Sequence, residues 1–298
     1  NSREFGFERW MSQLKILQRY ELLFPGLFPK LRDWGVAENG ICYMDLEAGW
    51  STQTAFDFLM TNPSEEEVGE LFHRIVDSVA VLHRKQLHSV PGAIVLYLRE
   101  KVFRKMQLCA DTSPGMHEHI MQQKVKFNGE SVPGFYSVFG KYATALQKLH
   151  DELALSECFV HGNLTLENIL YDDVGHILFI DPYEENIIHS QAMDFSQLFQ
   201  SGRGFYELHM REWGNFNHRG EEFILPRGTP VGLHRFFCVM TDWGNEQKGE
   251  AWMDYVRLLE ISQFIRMLPF KLLHNLEQAK FFYSYASWQF HLYRESHK

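Results

Sequence analysis

The stretch CFVHGNLTLENILYDDVGHILFIDPYEEN, residues 158 to 186, gathers the side chains best suited to chemistry. His161, Gly162 and Asn163 open it, Asn168 follows Asn163 by five residues, and Asp181 stands before Pro182. Two short apolar runs, NIL and HILFI, flank YDDVG, where Asp173 and Gly175 suit a tight turn, so the segment reads as a hairpin. Asn168 at the start of one strand and Asp181 at the end of the next can return to one place. An amide oxygen and a carboxylate so placed form a hard-oxygen cradle suited to Mg²⁺. Phosphoryl transfer needs such ligands for the nucleotide phosphates, a group that orients the accepting hydroxyl, and a rigid loop that holds both.

Each residue also has a structural reading. Asp181 can cap a turn before Pro182, and Asn168 can stabilise a turn; the surrounding pattern favours metal ligation for both. His161 reads as a residue that braces the loop by hydrogen bonds rather than as a proton shuttle. Asp194 can bond the loop, touch substrate, or N-cap the helix FSQLFQ. Glu184 and Glu185 can add charge near a metal, or simply be exposed. The C-terminal stripe Phe281, Tyr285 and Trp288 has helical spacing and reads as core.

These residues need elements to position them. FERWMSQLKILQRY, residues 7 to 20, carries Trp10, Met11, Leu14 and Leu17 at helical spacing. ICYMDLEAG reads as a strand ending at a turn near Gly49. Ser64 and Glu67 form a capping box, and Val68, Leu71, Phe72, Ile75, Val79 and Leu82 define one apolar helix face behind it. A helix is expected around 94–108, a polar stretch around 111–117, a Gly/Pro-marked connection from 128 to 134, and a helix from about 136 to 153. Beyond residue 192 the pattern is mostly helical, with a Gly/Pro-containing loop around 214–232 and an aromatic-rich helical end from 251.

Composition narrows the class. The 298 residues suffice for a large core, and the net charge of −9 without Lys/Arg runs argues against a nucleic-acid partner. The aromatic share of 15% suggests heavy interior packing. Cys42, Cys109, Cys158 and Cys238 form no C-x-x-C pair and read as reduced thiols of a cytoplasmic protein. No signal-peptide pattern or apolar run of membrane-spanning length is read in these residues, so a protein without a membrane span is expected.

HGNLTLENIL followed by ILFIDP resembles the H-G-D-x-x-x-x-N and I-D-P motifs of the aminoglycoside phosphotransferase and choline kinase-like family. FERWMSQLKILQRY is similar to that family's first helix, and ICYMDLEAGWST to its hinge strand. AMDFSQLFQSGRGFYE is similar to the segment after the metal aspartate in members linked to bacterial sugar and surface-polysaccharide biosynthesis. The resemblance implies an α+β, protein-kinase-like two-lobe fold: a partial N-lobe over 1–50, and a large helical C-lobe over 51–298 with the catalytic hairpin at 159–182. It implies ATP and Mg²⁺ as cofactors and a small hydroxyl-bearing, sugar-like metabolite as acceptor. Asn168 and Asp181 would hold the metal, and Asn163 and His161 would form the catalytic loop. Glu8 would pair with a nucleotide-binding lysine, and the backbone of Met44, Asp45, Leu46 and Glu47 would meet adenine.

Two departures stand out. The family has Asp where this chain has Asn163, and an amide has no useful basicity, so a slow enzyme is expected rather than a dead one. Three origins fit: an Asp-to-Asn change introduced to trap a complex, a natural loss of catalysis, or a native variant with residual activity. Second, NSREFG has no room for a Gly-rich loop and a strand lysine, so the N-lobe is incomplete, and a front lying outside this sequence is the simpler expectation. The alternative to an enzyme is a non-catalytic kinase-like module that binds nucleotide or a partner protein.

Overall fold

The computed structural model describes residues 6–38, 40–47, 53–88, 90–172, 174–183, 185–211, 217–219, 222–225, 228 and 230–298. Asp173, Glu184 and the expected turn at Gly49 lie outside them. By contacts the chain divides into two compact units, each built from three separate stretches.

The first unit comprises Asn1–His88, Ser156–Leu198 and Pro230–Met240. It opens with helix α1 (Gly6–Leu23), whose Leu14, Ile16, Leu17 and Tyr20 are buried. Strands β1 (Leu31–Val36) and β2 (Cys42–Leu46) form a two-stranded antiparallel hairpin. A second, three-stranded sheet has the order β3 (Gln53–Thr54), β6 (Ile169–Tyr171), β7 (Ile177–Phe179), with both pairings antiparallel. Helix α2 (Ala55–Met60) is capped by the Thr54 hydroxyl, which accepts from the Asp57 amide. Helix α3 (Glu65–His83) starts at the expected capping box, and its six anticipated apolar residues are all buried. Its outer side fixes the β6–β7 turn: Arg74 donates to the Gly175 carbonyl at 3.0 Å. Gly175 has φ +84°, a left-handed conformation that strains residues bearing a Cβ and favours glycine.

The second unit comprises Ser89–Leu155, Phe199–Thr229 and Thr241–Lys298. Its first helical run is α4 (Ala93–Tyr97), a π-helical stretch (Leu98–Phe103) and α5 (Arg104–Thr112). Where a polar stretch was expected at 111–117, α6 (Pro114–Met121) begins instead. Ser113 caps it and Pro114 occupies its first turn, a combination that starts helices efficiently. The expected 128–134 connection is part of a hairpin of β4 (Lys124–Phe127) and β5 (Glu130–Pro133). Its two turn residues, Asn128 and Gly129, have φ of 51° and 83°, the left-handed pair that tight hairpins require.

Within the expected 214–232 loop lie β8 (Asn217–Arg219) and β9 (Glu222–Ile224), the latter pairing in parallel with β4. The resulting four-stranded sheet has the order β5-β4-β9-β8. The helices are α7 (Phe135–Leu153), α9 (Tyr206–Arg211), α11 (Glu250–Arg266), α12 (Leu268–His274) and α13 (Leu276–Glu295). Two more helices, α8 (Gln191–Gly202) and α10 (Val231–Gln247), contribute residues to both units. Phe281 and Tyr285 are buried core residues, as their spacing implied, while Trp288 is half-buried. The core helix α11 is tied by polar bonds as well as packing. Tyr97 and Ser262 hydroxyls bond at 2.6 Å, Tyr142 donates to the Leu258 carbonyl at 2.9 Å, and Arg203 pairs with the buried Glu260.

Candidate functional site

The β6–β7 antiparallel register sets the geometry. Ile169 faces Phe179, and the pairing extends one step further because the Ile180 amide donates to the Asn168 carbonyl at 3.0 Å. Asn168 itself lies in a 3₁₀ turn (Leu166–Asn168) just before β6, and Asp181 lies two residues past β7. Asp181 adopts φ +53°, a left-handed conformation that Asp tolerates better than most side chains and that recurs at functional sites.

Asn163 joins these two residues. Its Nδ2 donates to Asp181 Oδ2 at 2.8 Å and to the Asp181 carbonyl at 3.3 Å. Asn168 Nδ2 in turn donates to the Asn163 carbonyl at 2.8 Å. Each amide nitrogen is therefore spent inside the cluster. Asn163 Oδ1, Asn168 Oδ1 and Asp181 Oδ1 have no hydrogen-bond partner among the described residues. Asp181 retains solvent-accessible surface, yet the protein around it desolvates the carboxyl enough to raise its pKa, opposed by the charge of Arg9 and the Asn163 hydrogen bond.

The loop carrying Asn163 is clamped from behind. Asp194, fully buried on α8, accepts the His161 amide at 3.0 Å and the Gly162 amide at 2.8 Å, and His83 Nε2 sits 3.0 Å from its Oδ2. Gln197, one turn further along α8, takes the Leu164 amide at 2.7 Å and donates to the Gly162 carbonyl at 2.5 Å. From α1, Tyr20 donates to the Val160 carbonyl at 2.9 Å. Of the roles open to Asp194, the structure places it within α8 and bonded to the loop rather than at the helix N-cap. Gly162 has φ +75°, and a Cβ there would lie 1.7 Å from Asn186 Nδ2 and 2.8 Å from the Tyr183 carbonyl.

His161 is fully buried and spends both ring nitrogens on the backbone. Nε2 donates to the Ile180 carbonyl at 3.0 Å, and Nδ1 accepts the Asn163 amide at 3.3 Å. Those two bonds require the neutral ring, and burial pushes its pKa down to about 4. Phe28 stacks on it at 6.1 Å between ring centres.

The structure thus brings Asn163, His161, Asn168 and Asp181 together. Glu8 is exposed on α1, with no ion pair among the described residues. Met44, Asp45, Leu46 and Glu47 lie on or at the end of β2 and take no part in the cluster's hydrogen bonds; Glu47 pairs with Arg32 at 2.7 Å. Glu185 is exposed, its carboxylate accepting from the Tyr183 hydroxyl. Gln197 was not foreseen, and only its position three residues after Asp194, hence on the same helix face, could have pointed to it.

Two open oxygens, Asn168 Oδ1 and Asp181 Oδ1, suit a hard divalent cation that keeps several waters. Among the described residues no group of three His, Cys, Asp or Glu side chains forms a site of the zinc type. No helix in them is long and apolar enough to cross a membrane.

No family model matches the chain, and no curated protein matches it in sequence. Solved structures do. An ethanolamine kinase from Plasmodium vivax is similar over 98% of this chain and 74% of its own, at 12% identity and a TM-score of 0.51. A glucosamine kinase is similar over 95% of this chain and 71% of its own, at 11% identity and 0.51. An ADP-bound aminoglycoside phosphotransferase is similar over 95% and 85%, at 10% identity and 0.51. At such identities the likeness speaks for the fold: this chain has the mixed α/β, kinase-like fold of these proteins, with a helical C-terminal part.

Proposed function

We propose that this chain is an ATP-dependent phosphotransferase acting on a hydroxyl of a small polar, sugar-like metabolite. The observation that carries the reading is the closed Asn163–Asp181–Asn168 cluster on a loop held by Asp194 and Gln197. Neighbours named as ethanolamine, glucosamine and aminoglycoside kinases support it at the level of fold, and the sugar-like acceptor rests on the resemblance of the segment around Asp194.

In this reading Asn168 Oδ1 and Asp181 Oδ1 hold a divalent cation of the Mg²⁺ class. When bound, that ion neutralises charge on the nucleotide phosphates. Asn163 orients the acceptor. Because its Nδ2 is committed to Asp181, Oδ1 is the free end and can accept a hydrogen bond from the acceptor hydroxyl without removing its proton. His161 keeps the loop in register. The β2 backbone from Met44 to Glu47 meets adenine, and the catalytic hairpin belongs to a helical C-lobe.

The test is Asn163→Asp, assayed for ADP release with ATP, Mg²⁺ and a panel of sugars and amino sugars. A restored base should raise turnover by roughly 10²-fold or more. If the substituted protein neither turns over ATP nor binds Mg²⁺-nucleotide, the proposal fails. A second reading, a nucleotide-binding module without catalysis, is favoured by the Asn163–Asp181 bond, which holds the site together with no base present. Tight Mg·ADP binding with no turnover in Asn163→Asp would select it.

A further inference from the structure

A cavity of about 50 Å³ lies between α1 and the chain that leaves Asp181, and all of its lining residues belong to the first unit. Arg19, Phe159, Tyr183 and Asn186 are among them. Backbone bonds fix its walls: the Tyr183 amide donates to the His161 carbonyl at 2.9 Å, and the Cys158 amide to the His189 carbonyl at 2.7 Å. Two cations gather at one wall. The Arg19 guanidinium lies 5.1 Å and Lys85 Nζ 5.8 Å from the centre of the Phe159 ring, so the charges stand no further apart than those two distances laid end to end. Neither has a carboxylate partner among the described residues, in a chain whose net charge is −9. Asn186 has the reverse need. Its Nδ2 donates to the Tyr183 carbonyl at 2.5 Å, which fixes the orientation of the amide. Its Oδ1 is then buried with no hydrogen-bond partner among the described residues, a costly state for an acceptor. Cations without an anion and an acceptor without a donor thus border one cavity.

We propose that this cavity is a binding site for hydrogen phosphate. A cavity of about 50 Å³ has room for roughly four waters, as many oxygens as a tetrahedral oxyanion carries. Unprotonated oxygens of the anion accept from the Arg19 guanidinium, whose parallel N–H groups match phosphate, while Lys85 adds its charge from beside the same ring. The remaining P–O–H donates to Asn186 Oδ1. That bond separates phosphate, which keeps a proton at neutral pH, from sulfate, which keeps none. A phosphate so held ties α1 to the segment leaving Asp181, and through the Tyr183–His161 bond steadies the loop that carries Asn163. The site lies apart from the chemistry proposed above and stands without it.

The experiment measures radiolabelled inorganic phosphate by equilibrium dialysis, with sulfate as competitor. Nucleotide and divalent cations are left out, so Asn168 and Asp181 offer the anion no metal. The unaltered chain is compared with Arg19→Ala, Arg19→Lys and Lys85→Gln, all at exposed positions where the core is untouched. Lys124→Gln, which removes one charge from β4 in the second unit, is the control. The unaltered chain should bind one phosphate, displaced by sulfate only at about tenfold higher concentration or more. Arg19→Ala should weaken binding by about tenfold or more, Arg19→Lys and Lys85→Gln by less, and Lys124→Gln should change nothing. No phosphate bound to the unaltered chain, binding to Arg19→Ala within twofold of it, or equal displacement by sulfate would each overturn the inference and leave the proposed function standing.

Discussion

Asn163 does two things that an aspartate in its place cannot do at once. It donates to Asp181, and it leaves an oxygen free. A carboxylate there would face the Asp181 carboxylate across the 2.8 Å now bridged by an N–H, a like-charge contact tolerable only with a shared proton or a cation. Asp194 works by satisfying donors that have no other acceptor. Asp194→Ala would leave the His161 and Gly162 amides buried and unpaired, lowering stability by roughly 3 kcal/mol in urea denaturation. An unchanged urea midpoint would mean water replaces the carboxylate. The Asn163–Asn168–Asp181 cluster was legible in the sequence because its members lie within nineteen residues on one hairpin, where strand register alone predicts convergence. Asp194 left several readings open and Gln197 went unnoticed. What makes both matter is the approach of α8 to the loop, a tertiary contact that local spacing does not encode.

Elements with strong local signals were readable, and those without were not. The Ser64 capping box and the apolar face behind it define α3 from sequence alone. Asn128-Gly129 is an equally strong hairpin signal, yet as a Gly-marked connection it concealed β4 and β5. Strand β9 carries no such mark: three residues gain their conformation by pairing with β4, nearly a hundred positions earlier. The Asn-Gly turn gives a direct test. No atom lies within 4 Å of a Cβ built on Gly129, so Gly129→Ala meets only backbone strain at φ +83°. It should lower the thermal midpoint by an amount corresponding to about 1 kcal/mol, with helix content by circular dichroism unchanged. No loss of stability would show that the turn relaxes to another type.

Across the whole chain, burial sets the response to acid. It pushes His119, His161 and His209 down to about 4, 4 and 3, while in the unfolded chain each returns to about 6.5. Between these values the unfolded state binds up to three more protons, so stability should fall as pH drops below about 6.5 and continue falling to about 3. Urea midpoints at pH 7.5, 6 and 5 check this, and equal midpoints would refute neutral burial. The two units carry a further implication for biosynthesis. The first needs residues 1–88, 156–198 and 230–240 together, so it cannot close until residue 240 has left the ribosome. Until then the oily stripe on α3 has no native cover from Phe236, and the nascent chain is exposed to self-association over the more than 150 residues that separate α3 from that cover.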